Sequence, residues 1–224
     1  LDNAVLGVEV DEPTRFGILI TEGPNLRAIL EKPEFTTPSL VNAGLYRFTP
    51  EIFEYLENVE PSRRGEYELV DAVTDLAGAA AVRVVKSAKG FLSVATAADL
   101  IEAQKALWFG DEYCRGRDCR VASSASVGSS VTVGDNCIVG ENVVISDSIL
   151  FDGVKIDDDV EIVNSVLGYG VEVAERTILD GAIIGDGVVV GRGARLRPGS
   201  RVWPRAVVPA SAEISAEYLG DERK

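Results

Sequence analysis

Across residues 121–207 an aliphatic residue followed by a small or acidic one recurs about every six positions. The run reads Val127-Gly128, Val133-Gly134, Val139-Gly140 and Ile145-Ser146, then, after one five-residue step, Ile156-Asp157 and Ile162-Val163. It resumes at Ile184-Gly185, Val190-Gly191, Leu196-Arg197 and Val202-Trp203. One buried aliphatic per six residues is the signature of a parallel β-helix, in which each short strand sends a side chain inward and a small residue turns the corner. Roughly fourteen such units predict four to five triangular coils of about eighteen residues, enough to stack a continuous core. Trp203, one place after an inward position, is expected to point outward as an interface anchor or to lie under the chain's own tail.

The first half has a different rhythm. Aliphatic runs at 16–20 and 26–30 flank Thr21-Glu22-Gly23-Pro24-Asn25, which predicts a hairpin. Residues 41–48 predict a strand, closed by Thr49 as an N-cap and Pro50 at the first helical position, with a helix to about residue 57 presenting Ile52, Phe53 and Leu56 on one face. A second helix is expected over 66–78, a strand over 82–86, and a capping box at Thr96-Ala97-Ala98-Asp99 opens a helix carrying Leu100, Leu107 and Trp108. The fold class predicted is thus an α/β layer followed by an all-β parallel β-helix. The expected division is 1–109 for the α/β part, 110–120 as linker, 121–208 for the coil, and 209–224 as a tail that caps the coil or frays.

Composition narrows the functions. The chain has 224 residues, 46% hydrophobic and 26% charged, as a soluble globular protein does. A net charge of −14 argues against nucleic acid or an anionic membrane as partner. There is neither an apolar run of about 20 residues nor a basic-then-apolar start, so a cytoplasmic location is expected. Absence of methionine, with a start that reads as mid-domain, suggests a fragment or processed chain. Cys114, Cys119 and Cys137 fit no zinc spacing and are expected to be free thiols, and Asp157, Asp158 and Asp159 read as a solvated face. No histidine occurs anywhere, which removes the usual general base of acyl transfer.

Three strings carry the candidate chemistry: Glu31-Lys32-Pro33, Asn42-Ala43-Gly44-Leu45-Tyr46-Arg47-Phe48 and Ser62-Arg63-Arg64-Gly65-Glu66-Tyr67-Glu68-Leu69. Lys32, after a strand, offers a compact cation to a phosphate, and Glu31 accepts hydrogen bonds from sugar hydroxyls. Asn42 both donates and accepts, while Gly44 lets backbone approach a ligand. Together with Asp11-Glu12-Pro13-Thr14-Arg15-Phe16-Gly17 and Thr96-Ala97-Ala98-Asp99-Leu100, these strings resemble the sugar-phosphate nucleotidyltransferases. The repeating coil is similar to the left-handed hexapeptide-repeat domain that follows the transferase in two-domain members.

The resemblance implies that Glu31 and Lys32 hold a sugar-1-phosphate, with Lys32 near the phosphate, and that Asn42 and Gly44 line the sugar pocket. It implies Mg²⁺ as cofactor, a nucleoside triphosphate as co-substrate, pyrophosphate as product, and a homo-oligomer built through the β-helix. Catalysis would come from positioning and charge neutralisation, without a covalent intermediate. Two departures stand out. No Gly-x-Gly-Thr-Arg-type loop occurs, so the nucleotide-binding half is expected to be missing. Ser93 stands where the family shows a metal-binding aspartate, and a hydroxyl cannot replace an anionic ligand of a hard cation. A non-catalytic scaffold or regulatory subunit is therefore the alternative to the enzyme.

Overall fold

The computed structural model describes residues 2–31, 37–62, 65–107 and 113–218. It falls into two units, Leu1–Phe91 and Leu92–Lys224. In the first, strands β1 (Asn3–Val10), β2 (Ile18–Glu22), β3 (Asn25–Leu30), β4 (Ser39–Arg47) and β5 (Val82–Lys86) close in the order β1-β4-β2-β3-β5. β1 pairs with β5 in parallel and with β4 antiparallel, and β2 and β3 form the expected hairpin. Helix α2 (Leu69–Ala79) buries Ala72, Val73, Leu76 and Ala77 against Val5, Leu19, Leu26, Ile29 and Val82. Its buried positions recur at helical spacing, as an amphipathic stripe requires.

Two local expectations fail here. Helix α1 (Ile52–Leu56) starts after Glu51, and the Thr49 hydroxyl makes no cap: it is buried without a partner. The Thr49 amide instead donates to the Asn3 side-chain oxygen at 2.7 Å, tying the residue to β1. Only Ile52 of the predicted face is buried, and Phe53 stays 65% exposed. Helix α2 begins three residues later than expected because the Glu66 carbonyl accepts from the Ser62 amide at 2.8 Å. That turn holds the segment out of the helix, with Glu68 still extended before Leu69.

The second unit is a parallel β-helix whose two- and three-residue strands form three sheets of six, six and seven strands. Successive turns are mostly 17 residues apart, as between Asp158 and the Glu141 amide it binds. Strands through the middle of the coil bury two side chains where one was expected: Val131 with Val133, Val143 with Ile145, Val160 with Ile162, Val188 with Val190. The added column stands two places before the predicted one. Left-handed backbone at the corners falls mostly on Asn, Asp and Gly, such as Asn136, Asn142, Asp159 and Gly187, with Arg176, Arg205 and Ser211 as exceptions. Asp158, read as part of a solvated face, is exposed, but its carboxylate also accepts the Glu141 amide at 2.7 Å.

Strands extend on both sides of the expected 121–208 span. Cys114–Arg115 pairs with Thr132–Val133, so the described part of the expected linker is already coil. Glu213–Ile214 and Glu217–Tyr218 pair with the turn below, so the described tail continues the coil instead of forming a helix or fraying. Helix α3 (Ala97–Leu107) opens on the predicted capping box: Thr96 Oγ1 accepts from the Asp99 amide at 3.2 Å and Asp99 Oδ2 from the Thr96 amide at 2.9 Å. Ile101 packs on Ile149 and Val166 of one sheet, and Lys105 pairs with Asp147 at 3.0 Å. By these contacts the helix packs on the coil. Trp108, expected on this helix, lies outside the described residues. Trp203 points outward, half exposed, and its indole donates to Glu217 in the final strand at 2.7 Å.

Candidate functional site

Of the predicted site residues, Glu31 stands at the end of β3 and Asn42 and Gly44 in the middle of β4, where the register breaks. Between the pairs Val5↔Tyr46 and Gly7↔Asn42, β1 advances by two residues while β4 advances by four. In a regular strand Asn42 and Tyr46 would stand about 13 Å apart. The two extra residues form a bulge that folds the chain back, so that the Asn42 side-chain amide donates to the Tyr46 hydroxyl. Gly44, at φ 75°, occupies the left-handed conformation at the bulge, which a side chain would strain. Its amide donates to Asn42 Oδ1 at 3.0 Å.

Glu31 joins this group from the end of β3. Gly17, in the string before β2, makes that approach possible: a Cβ there would lie 2.9 Å from both Glu31 Oε2 and Ile29 Cγ2. The Gly17 carbonyl also accepts the Asn42 amide at 2.8 Å, which fixes β4 beside it. The site is therefore a ring of Gly17, Glu31, Asn42, Gly44 and Tyr46, while Lys32 lies outside the described residues.

Tyr46 stacks on Phe48 with ring centroids 5.3 Å apart. Burial raises the pKa of its phenol, opposed by the hydrogen bond from Asn42, and the nearby Glu31 carboxylate raises it further. Tyr46 is thus a neutral hydroxyl at ordinary pH. Tyr46 carries no sequence signal of this role, since nothing in alternation alone predicts a bulge that turns residue 46 back upon residue 42.

Chemically, the ring offers a carboxylate acceptor, an amide able to donate and accept, and a phenol. Such a mixture reads hydroxyl groups, which both give and take a hydrogen bond. Ser93 is exposed on an irregular stretch before α3. Among the described residues no three His, Cys, Asp or Glu side chains gather in one place.

Comparison with known proteins adds to this geometry. Residues 98–217 match the family model described as EIF2B subunit epsilon LbH domain, and residues 2–108 match the one described as Nucleotidyl transferase. A bifunctional sugar-1-phosphate nucleotidylyltransferase/acetyltransferase of Sulfurisphaera tokodaii is 35% identical over 105 residues, 46% of this chain and 26% of that protein. Bifunctional protein GlmU of Methanocaldococcus jannaschii is 37% identical over 105 residues, again 46% of this chain and 26% of the relative. The UTP–glucose-1-phosphate uridylyltransferase AglF of Haloferax volcanii is 42% identical over 67 residues, 30% of this chain and 28% of the relative. The chain spans about a quarter of the length of these curated relatives.

Proposed function

Because the chain belongs to the sugar-phosphate nucleotidyltransferase family, in the form whose transferase domain is followed by a β-helix, we propose that the ring around Asn42 holds the sugar of a sugar-1-phosphate. The observation that carries this reading is the β4 bulge, which gathers Asn42, Gly44 and Tyr46 beside Glu31. Glu31 takes a hydroxyl proton in a hydrogen bond, Asn42 supplies its remaining donor and acceptor, and Gly44 leaves room for the ring. Lys32, next in the chain, is the cation proposed for the phosphate. The proposed reaction is attack of the sugar phosphate on the α-phosphorus of a nucleoside triphosphate, with pyrophosphate leaving. This chain's own contribution is to hold and orient the nucleophile, which converts an encounter into a positioned attack. Glucose-1-phosphate with UTP or dTTP is the proposed pair. The relatives' names support the sugar-1-phosphate class.

No helix among the described residues is long and apolar enough to cross a membrane, and the proposed setting is the cytoplasm. The flat outer faces of the β-helix are proposed to join copies of the chain. One relative is also named an acetyltransferase, but histidine is absent from all 224 residues, and acyl transfer with a histidine base is not proposed. Ser93, at the position of the family's metal-binding aspartate, favours a second reading, a scaffold subunit that binds sugar phosphate without turnover.

Calorimetric titration of the protein with glucose-1-phosphate tests the binding reading. The wild type should bind, and Glu31→Gln and Asn42→Ala should each weaken binding about tenfold, as loss of a hydrogen bond to a charged or buried partner does. A wild type that takes up no sugar phosphate sinks the proposal. Pyrophosphate release with UTP and Mg²⁺ then separates enzyme from scaffold.

A further inference from the structure

The donors and acceptors around Asn42 admit one arrangement only. The Gly44 backbone N–H can do nothing but donate, so the end of the Asn42 side chain that faces it must be the oxygen. The NH₂ end is then turned to Tyr46, and the phenol must accept. Reversing the amide would set the NH₂ group against the Gly44 N–H and leave both unpaired. The amide thus keeps one N–H and one oxygen lone pair for a ligand, in directions set by its two neighbours.

Neither neighbour is free to move. Gly44 is held by the bulge, and Tyr46 is pinned by the pair Val5↔Tyr46 and by its stack on Phe48. We infer that Tyr46 is a positioning residue which, acting through the Asn42 amide, decides which configuration of sugar hydroxyl the pocket accepts. This inference rests on the proposed sugar-phosphate reading. A side chain fixed at both ends cannot rotate to suit an epimer, so a hydroxyl on the opposite face of the ring leaves a donor or acceptor unpaired. Discrimination by a site built to hydrogen-bond a hydroxyl arises in this way.

Tyr46→Phe keeps the ring, the stack and the strand, and removes the hydroxyl that accepts from Asn42. Asn42→Asp is the complementary change: the carboxylate still accepts from Gly44, and the Tyr46 hydroxyl can reverse and donate to it. The bulge should survive, but the N–H offered to the sugar is gone. The experiment measures affinity for glucose-1-phosphate and galactose-1-phosphate, which differ at one hydroxyl, in the wild type and both variants. Heteronuclear NMR follows the Asn42 side-chain protons and the Gly44 amide.

The wild type should distinguish the two sugars. Tyr46→Phe should cut the ratio of affinities about tenfold toward unity, broaden or shift the Asn42 side-chain protons, and leave the Gly44 amide in place. Asn42→Asp should lose discrimination with the Gly44 amide still protected. If Tyr46→Phe weakens both sugars alike and leaves their ratio unchanged, Tyr46 serves only the fold and the inference is overturned. An unchanged ratio and unchanged affinities overturn it equally. A wild type that binds neither sugar overturns the proposed function first, a result visible without any variant, and this inference with it.

Discussion

Replacing Ser165 by alanine removes one oxygen from the interior of the β-helix, and the cost can be worked from its neighbours. Ser165 is fully buried, and its hydroxyl donates to the Val163 carbonyl at 2.7 Å and accepts the Ala182 amide, one turn on, at 3.0 Å. The Val163 carbonyl also accepts from the Gly181 amide at 2.9 Å, so it remains satisfied after the substitution. The Ala182 N–H does not: the Ser165 hydroxyl is its acceptor, and the site is closed to water. An orphaned buried donor costs about 1–3 kcal/mol. For a chain of this length that lowers Tm by roughly 2–4 °C per kcal/mol, or about 2–12 °C in all.

The same logic explains why the column reads Ser148, Ser165, Ala182, Ser200. Ser148 accepts the Ser165 amide at 3.0 Å, whereas the Ser200 amide donates to the Arg197 carbonyl at 3.0 Å and needs no hydroxyl at position 182. Thermal unfolding gives the stability of Ser165→Ala, and hydrogen exchange reads the Ala182 amide directly. Ser123→Ala, at an exposed corner, is the control and should lie within about 0.5 kcal/mol of wild type. A Ser165→Ala protein with wild-type Tm and a still-protected Ala182 amide would refute the assignment of that hydroxyl as the sole acceptor.

Three further outcomes are expected. Gly17→Ala should push Glu31 aside and strain Ile29, costing about 1–2 kcal/mol and weakening glucose-1-phosphate binding in titration. Docking of α3 should depend on acid: Lys105, then Ser130, hold the Asp147 carboxyl below its usual range by hydrogen bonding. A depressed carboxylate adds stability above the unfolded value of about 3.9 and loses it as pH falls through the folded one. Exchange of the α3 amides should therefore accelerate below about pH 4, and Asp147→Asn should abolish that acid step. Burial pushes the Cys137 thiol up to about 11, so a thiol reagent at pH 8 should label Cys114 before Cys137. Mass spectrometry of the peptides checks the order, and early labelling of Cys137 contradicts its burial.

The coil was legible in the sequence because each of its turns repeats one local rule. Val133, Val139, Ile145, Ile162 and Val190 all point inward where the period places them. The second inward column was harder to see, since Ser148, Ser165 and Thr177 interrupt it with polar residues that only the stacked backbone satisfies. The hairpin and the Thr96–Asp99 capping box were likewise set by neighbours in the chain. The Thr49 cap failed because the first amides of the helix, Ile52 and Phe53, donate to the backbone carbonyls of Thr49 and Pro50 and leave the hydroxyl nothing to accept.

At the candidate site, the sequence by itself determined the residue types, an acid, an amide and a glycine within fourteen positions, and the period that builds the helix of strands. The tertiary structure alone decided their geometry. A two-residue mismatch between β1 and β4 turns Tyr46 back onto Asn42, and a missing side chain at Gly17 admits Glu31. Register is a property of two strands at once, and close approach a property of two distant segments. Neither is written in the local pattern of one stretch of chain.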